Sequence, residues 1–567
     1  MRLLLPYLLS AVLAAGLAPA TTAEEPMLNI TQVETLPYGA PVYGFSTLDP
    51  SGPRRFEGRF LSVMYNANGS GHDWIAVTLD DLPVIAAGQS GSPVYVDIQG
   101  VRNKIGTLSF GDNWARNPIP YLTPILEVLN VQKNDASATA SVKPGTDSAN
   151  LLSMMRKTLP ASNPLLMMLD QNVTSGVVAR GTPAPVIAGS VLGVQLAWGD
   201  FDLTSYGTVS HVDGDKVFMF GHPFLQLGPA EYRLVPMKVL TVQQKYDRSY
   251  IVAVPLQNAA AVGVITQDRE TGIYGVLGRE PQTAIPVSID LLTSAGQHKV
   301  FNFFSVAEPS IAPIIIGSGV STAIKAWSRE MGDMTLFVNG KLEVEGVGDI
   351  DFSDSFTSIT GADGLSPFAM LKDKTDSVLS NRFTKARIKK VSVSVKVFDE
   401  YRTLSIDSVS LDRPNFKPGE TLSLRITLSQ PLKDAKTVTL DIPLPFDLQY
   451  GVGKIVVGDA GAVDAIEGGG STVVNLASLA ESLSAKRRPD AVYIYMVLPP
   501  SKVGPPSTDK SVPMQVGDIA AEVKKTSKRL SSNVEEYQVV VGDFQVSGRK
   551  EVEFKVGTAG TMPPGHP

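Results

Sequence analysis

The sequence predicts a mainly β protein of several domains that ends in an immunoglobulin-like sandwich. Three observations carry that expectation. Short alternating apolar runs recur between turn residues over most of the chain. After the first residues no stretch is long and apolar enough to span a bilayer; Ile251 to Ile265 comes closest, and Gln257 and Asn258 interrupt it. A length of 567 residues makes room for about two to four domains.

The elements follow in chain order. Arg2 supplies a positive start, Leu3 to Leu17 is nearly all apolar, and Ala18-Pro19-Ala20 and Thr21-Thr22-Ala23 offer small residues before Glu24 and Glu25. That order is the secretory pattern, and the apolar core is too short for an anchor. Residues 1–23 are read as a cleaved signal peptide. The mature chain is then exported, periplasmic or extracellular, with no transmembrane segment left after cleavage. Residues 24–135 read as a first β unit, with strands at Trp74 to Leu79, Val94 to Ile98 and Ile105 to Phe110, and a turn at Gln99-Gly100. Residues 136–189 read as a linker followed by a Pro-broken helical segment. Residues 190–310 read as a second β unit, in which Asp213-Gly214-Asp215 closes a hairpin as a three-residue loop.

Residues 311–402 mix strands with an amphipathic helix from Pro367 to Leu379, Ser366 being its N-cap. Residues 403–556 read as the sandwich, interrupted by helical patterns near Leu476 to Lys486 and Ile519 to Leu530. The tail, 557–567, is Gly- and Pro-rich and reads as disordered.

Composition excludes several chemistries. The chain has no cysteine, so disulfides, a lipid-anchoring cysteine, a thiol nucleophile and thiolate metal sites are ruled out. A net charge of -6 gives no global basic field, so no nucleic-acid partner is expected; Arg382 to Lys390 reads as a solvated strand edge or linker. The five histidines, His72, His211, His222, His298 and His566, have no metal-ligand spacing, so no metal and no cofactor is expected. Aromatic residues are 7% of the chain with four Trp, few stacking platforms for a carbohydrate-binding or adhesive protein.

Two short segments can carry chemistry. Gly88-Gln89-Ser90-Gly91-Ser92-Pro93 sits between strands. A serine nucleophile must be exposed on a tight turn, with backbone N–H groups aimed at one point for an oxyanion. Gly88 and Ser90 could supply those N–H groups. The second segment is Phe220-Gly221-His222-Pro223-Phe224, where His222 ends an apolar strand between a glycine and a proline, a constrained place that suits a general base. Taken singly, the first is equally a polar turn and the second a structural histidine.

Together the two segments resemble the sporulation stage IV protein B family of serine peptidases, of the chymotrypsin-like clan. The serine segment is matched by Gly88 to Pro93 with Val94-Tyr95, Ile105-Gly106 and Tyr121 to Ile125. The histidine segment is matched by Gly207-Thr208, Asp213 to Asp215 and Gly221-His222, and the closing strands by Gly272 to Gly275 and Ile285 to Val287. The resemblance spans roughly residues 35–310. It implies a chymotrypsin-like double β-barrel followed by a β-rich accessory region, with Ser90 as nucleophile and His222 as general base. It also implies a protein or peptide substrate. Three features depart from the family. The serine half precedes the histidine half here. The upstream acid is matched only by Asp81 or Asp80, of which Asp81 is taken as the third member. No family peptide-binding domain is matched.

The sequence therefore points to an exported serine endopeptidase of narrow specificity, with self-cleavage within its expected range, and with an inactive peptidase-like scaffold binding an envelope protein as the alternative. N-terminal sequencing of the exported protein should find a start near Glu24, and a start at Met1 would contradict cleavage.

Overall fold

The computed structural model describes residues 25–67, 71–80, 85–111, 119–134, 173–174, 179–245, 249–257, 259–327, 332–359, 365–466, 473–484, 487–500, 514–516, 522–526 and 533–557. The signal segment, Asp81, most of the 136–189 stretch and the tail after 557 lie outside the described residues.

The first unit is a closed antiparallel barrel. Its strands are β1 (Pro41–Thr47), β2 (Pro53–Met64), β3 (Trp74–Leu79), β5 (Pro93–Ile98), β6 (Val101–Gly111) and β7 (Pro120–Pro124). They close in the order β1-β2-β3-β7-β6-β5, while the short β4 (Ala86–Ala87) leaves the barrel. Strand periodicity explains the closure. In β2, Phe56 and Phe60 face inward while Arg55, Glu57 and Arg59 face water. Val42, Ile75, Val77, Val94, Ile105 and Leu122 complete the core. The Gln99-Gly100 turn is present, with both residues at positive φ, as a two-residue hairpin requires.

The second barrel follows the short β8 (Val173–Thr174). It is built from β9 (Val191–Gly199), β10 (Leu203–Asp213), β11 (Lys216–Met219), β12 (Gly228–Gln243), β14 (Gly263–Arg269) and β15 (Gly272–Leu277). The ring β9-β10-β11-β15-β14-β12 closes where Arg233 to Pro236 of β12 pairs with Gln195 to Leu192 of β9. The β10–β11 hairpin differs from expectation by one residue. Asp213 pairs with Lys216, leaving a two-residue Gly214-Asp215 turn in which Gly214 takes φ +59°. The protein is thus mainly β, with a double barrel at its N-terminal side.

The two barrels are stitched together. β13 (Ser249–Pro255) pairs antiparallel with β12 and parallel with β4, Ser249 opposite Ala86 and Tyr250 opposite Ala87. A hairpin of the second barrel therefore holds the strand that enters the serine turn. Lys104 crosses the seam from β6 and is 1% exposed. Its Nζ lies 3.1 Å from His211 Nδ1, 3.4 Å from the Ser210 carbonyl and 3.5 Å from Glu25 Oε2. His72 is held between Glu127 (3.1 Å) of the first unit and Glu270 (3.3 Å) of the second.

Beyond the second barrel its sheet continues from β9 through β17 (His298–Ser305), β16 (Ile285–Thr293), β20 (Ile388–Phe398) and β18 (Met334–Val344) to β19 (Gly348–Ser358). Helices Ala312–Trp327 and Leu365–Leu379 pack on this extension, the second starting two residues before the expected Pro367. One apolar core runs from Leu196 and Val209 through Ile289, Ile315 and Phe368 to Val393, so the region after 310 shares the core of the histidine-bearing barrel.

The C-terminal unit is a two-sheet sandwich. One sheet runs Met514–Val516, Lys436–Pro443, Thr421–Ser429, Thr403–Leu411, Gln545–Ser547. The other runs Asn415–Phe416, Arg549–Val556, Gly451–Gly458, Ala491–Val497, Val534–Val540, Glu522–Thr526. Leu424, Leu440, Ile455, Ile494, Tyr537 and Phe554 fill the space between them. Leu476–Leu483 is a helix, as its pattern predicts, and its Leu476 and Ala480 dock on the core of the preceding region. The helical reading of Ile519 to Leu530 is corrected: Glu522–Thr526 is a strand paired with Thr526 opposite Glu536 and Glu522 opposite Val540. Ladder bonds to a neighbouring strand override a weak helical preference there.

The seam makes a pH prediction. Burial pulls Lys104 down to about 8, opposed by Glu25. Between about pH 8 and the ordinary lysine value of 10.5 the unfolded chain then holds more protons, so stability rises with pH. Urea unfolding across that window should show the rise, and Lys104→Met should reduce it. An equal rise in the variant would contradict the burial of a charged Lys104.

Candidate functional site

The serine turn is set by its backbone. The Ser92 N–H donates to the Gln89 carbonyl (2.9 Å), which makes Gln89 to Ser92 a β-turn with Ser90 at its first central position and Gly91, φ +97°, at its second. That is the type II pattern, which calls for positive φ at the second centre. Gln89 is buried, and its Oε1 accepts from the Ala86 N–H (2.6 Å), so the side chain before Ser90 braces the turn from within. Gly91 is required for space as well as angle. A Cβ there would stand 2.0 Å from the Thr208 carbonyl oxygen and 2.7 Å from the Phe220 nitrogen. The turn is docked on β6 by Gly91 N–H to the Leu108 carbonyl (2.7 Å) and Leu108 N–H to the Ser92 carbonyl (2.9 Å).

The histidine turn is set by backbone conformation and ring packing. Phe220 takes φ +74° and Gly221 φ +72°. A bulky residue in the left-handed region is strained and must be held by its surroundings. Phe220 is buried against Gly207, where a Cβ would come within 2.1 Å of its ring; Gly207 thus makes the slot that the ring fills. The His222 ring lies between Phe110 of the first barrel (5.8 Å between centroids) and Phe220 (5.7 Å). Its Nδ1 stands 2.7 Å from the Pro223 carbonyl oxygen. A carbonyl only accepts, so Nδ1 carries the proton and Nε2 is the basic nitrogen of the neutral ring. From the first barrel, Thr123 Oγ1 donates to the Gly221 carbonyl (2.6 Å) and itself accepts from Ser109 Oγ (2.8 Å).

Thr208 joins the two turns. Its N–H donates to the Ser90 carbonyl (2.9 Å), its Oγ1 donates to the Gly88 carbonyl (2.8 Å), and its carbonyl accepts the Phe220 N–H (3.3 Å). The structure therefore brings the Ser90 and His222 segments together at the seam between the barrels. The described hydrogen bond of the His222 ring runs from Nδ1 to the Pro223 carbonyl oxygen, and among the described residues none runs to Ser90 Oγ. Ser90 and His222 are both half-buried. Gly88 is buried with its carbonyl committed to Thr208.

Asp81 lies outside the described residues. Asp80 is on the outer face of the barrel, taking a hydrogen bond from Thr78 Oγ1 (2.9 Å) and an ion pair from Arg59 (3.2 Å), and does not orient His222. Among the described residues an acid that adjoins the histidine turn is Asp268 of β14, fully buried, which accepts the Phe224 N–H (2.9 Å) and the Leu225 N–H (2.7 Å). Burial raises it to about 6 against the pull of the backbone N–H groups of Phe224 to Leu227. Its signal in the sequence was an acid set among strand residues just before Gly272 to Gly275.

The other described histidines have other work. Burial, then the charge of Lys104, lowers His211 to about 4, and His298 pairs with Asp290 at 2.6 Å on the surface. Among the described residues no group of three or more His, Asp or Glu side chains is arranged to hold a metal ion. Nor, among them, is any helix long and apolar enough to cross a membrane. Comparison with protein-family models, with curated proteins and with solved structures returns no match for this chain.

Gly91→Ala tests this construction. The added methyl meets a carbonyl and an unfavourable φ together, so the variant should lose at least about 3 kcal/mol, the upper range for overpacking. Urea unfolding would measure it, and a loss under about 1 kcal/mol would mean the turn does not seat on Thr208 as described.

Proposed function

We propose that the double barrel is an exported serine endopeptidase of narrow specificity, acting on a protein or peptide and capable of cutting its own chain. The observation that carries this reading is the convergence of the Ser90 and His222 turns on Thr208, two segments far apart in the chain that meet at one seam. In the proposed reaction Ser90 Oγ attacks the scissile carbonyl and its proton passes to His222 Nε2. The N–H groups of Gly88 and Ser90 receive the oxyanion. The proton held on His222 then goes to the leaving amine, and water, activated by the same ring, releases the acyl group and restores Ser90.

A second reading, an inactive scaffold that binds an envelope protein, is favoured by the missing Ser90–His222 hydrogen bond. Catalytic hydrogen bonds are often long before substrate binds, so the peptidase reading stands first. A fluorophosphonate probe separates the two. The wild type should be labelled, Ser90→Ala and His222→Ala should not, and a chelator should change nothing. Labelling of Ser90→Ala equal to wild type would remove Ser90 as nucleophile, and an unlabelled wild type would favour the scaffold.

A further inference from the structure

One peptide group lies between the buried acid and the histidine. The Pro223–Phe224 peptide presents its carbonyl oxygen to His222 Nδ1 at 2.7 Å, and its N–H to Asp268 Oδ1 at 2.9 Å. The second oxygen of Asp268 accepts from Leu225 at 2.7 Å, so both carboxylate oxygens are held by the turn. We propose that Asp268 is a positioning residue that acts on His222 through this peptide, so that an acid–peptide–histidine relay does what a directly bonded aspartate does in a triad.

The physics has three parts. A carboxylate bonded to the N–H of a peptide polarises it, and hydrogen bonds in series strengthen one another by perhaps 10–30%. The Pro223 carbonyl then becomes a better acceptor and holds the proton on Nδ1. The same bond fixes the plane of the peptide, and with it the ring angle, since Pro223 adjoins His222 and leaves the chain little freedom. Finally, a negative charge two bonds' reach away favours the imidazolium that forms when Ser90 gives up its proton. Asp268 is fully buried, which raises it to about 6, but the backbone N–H groups of Phe224 to Leu227 favour its ionised form, so it carries its charge at neutral pH. Among the described residues, ionisable groups near it include the buried hydroxyl of Tyr232, with Glu308 beyond, and Arg269 next in sequence, whose guanidinium lies by Gly228.

The catalytic part of this inference rests on the reading of His222 as general base; the relay itself does not. The test uses nuclear magnetic resonance of the full chain with nitrogen-15 in its histidines, the His222 signals being assigned by their loss in His222→Ala. In the wild type His222 should be the Nδ1–H tautomer. Asp268→Asn, which keeps an oxygen and loses the charge, should lower the pKa of His222 by roughly one unit, the low end for a nearby opposite charge. It should also slow probe labelling of Ser90 by about 10- to 100-fold, as loss of an outer-shell partner does. A role confined to anchoring the loop would leave the His222 titration where it was, and that result in a folded variant overturns the proposal. A wild-type His222 in the Nε2–H form overturns it whether or not the variant folds. A wild type that resists the probe defeats the peptidase reading alone, because the tautomer and the titration are read without activity.

Discussion

Thr208 is the residue on which the site depends. It is fully buried on β10 and bonded on three sides, by its N–H to Ser90, by its hydroxyl to Gly88 and by its carbonyl to Phe220. One residue of the second barrel thus fixes the turn contributed by the first and the turn contributed by its own hairpin. All three bonds lie out of water, where an unmet partner costs about 1–3 kcal/mol, so the turns cannot separate without loss at each.

Around that clamp the fold stores strain and relieves it by packing. The left-handed Phe220 would be unfavourable in isolation, but its ring fills the slot that Gly207 leaves and touches Phe224 edge-on at 5.6 Å. The effect is to turn the chain sharply at the end of β11, so that His222 leaves the second barrel and lies tilted against Phe110 of the first. The first barrel reciprocates through the hydroxyls of Ser109 and Thr123, which hold the Gly221 carbonyl. Neither barrel carries the site alone; the β4–β13 pairing and the buried Lys104 keep the two in register.

Much of this was legible in the residues. Alternation in segments such as Phe56 to Phe60 announces strands, and Gly88, Gly91 and Gly221 mark the turns because few other residues accept their backbone angles. What the residues could not show is closure. The β12–β9 pairing that completes the second barrel joins strands far apart in sequence, and no local pattern encodes it. For the same reason the region after 310 reads as a separate unit, although its strands extend the same sheet. The acid beside the histidine turn is hard to read from the chain on a similar ground. Asp80 and Asp81 stand out because they precede Ser90 in the chain, whereas Asp268 reaches the histidine turn through β14 and touches a peptide, a contact that leaves no spacing rule behind.

In the proposed reaction the Ser90 and His222 turns form one reactive centre. A crystal structure of the chain after treatment with a small fluorophosphonate tests it most directly. The account predicts phosphorus bonded to Ser90 Oγ, with His222 Nε2 within about 3 Å of an oxygen on the adduct and Nδ1 still on the Pro223 carbonyl. An unmodified Ser90, or an adduct with His222 turned away from it, would contradict the claim.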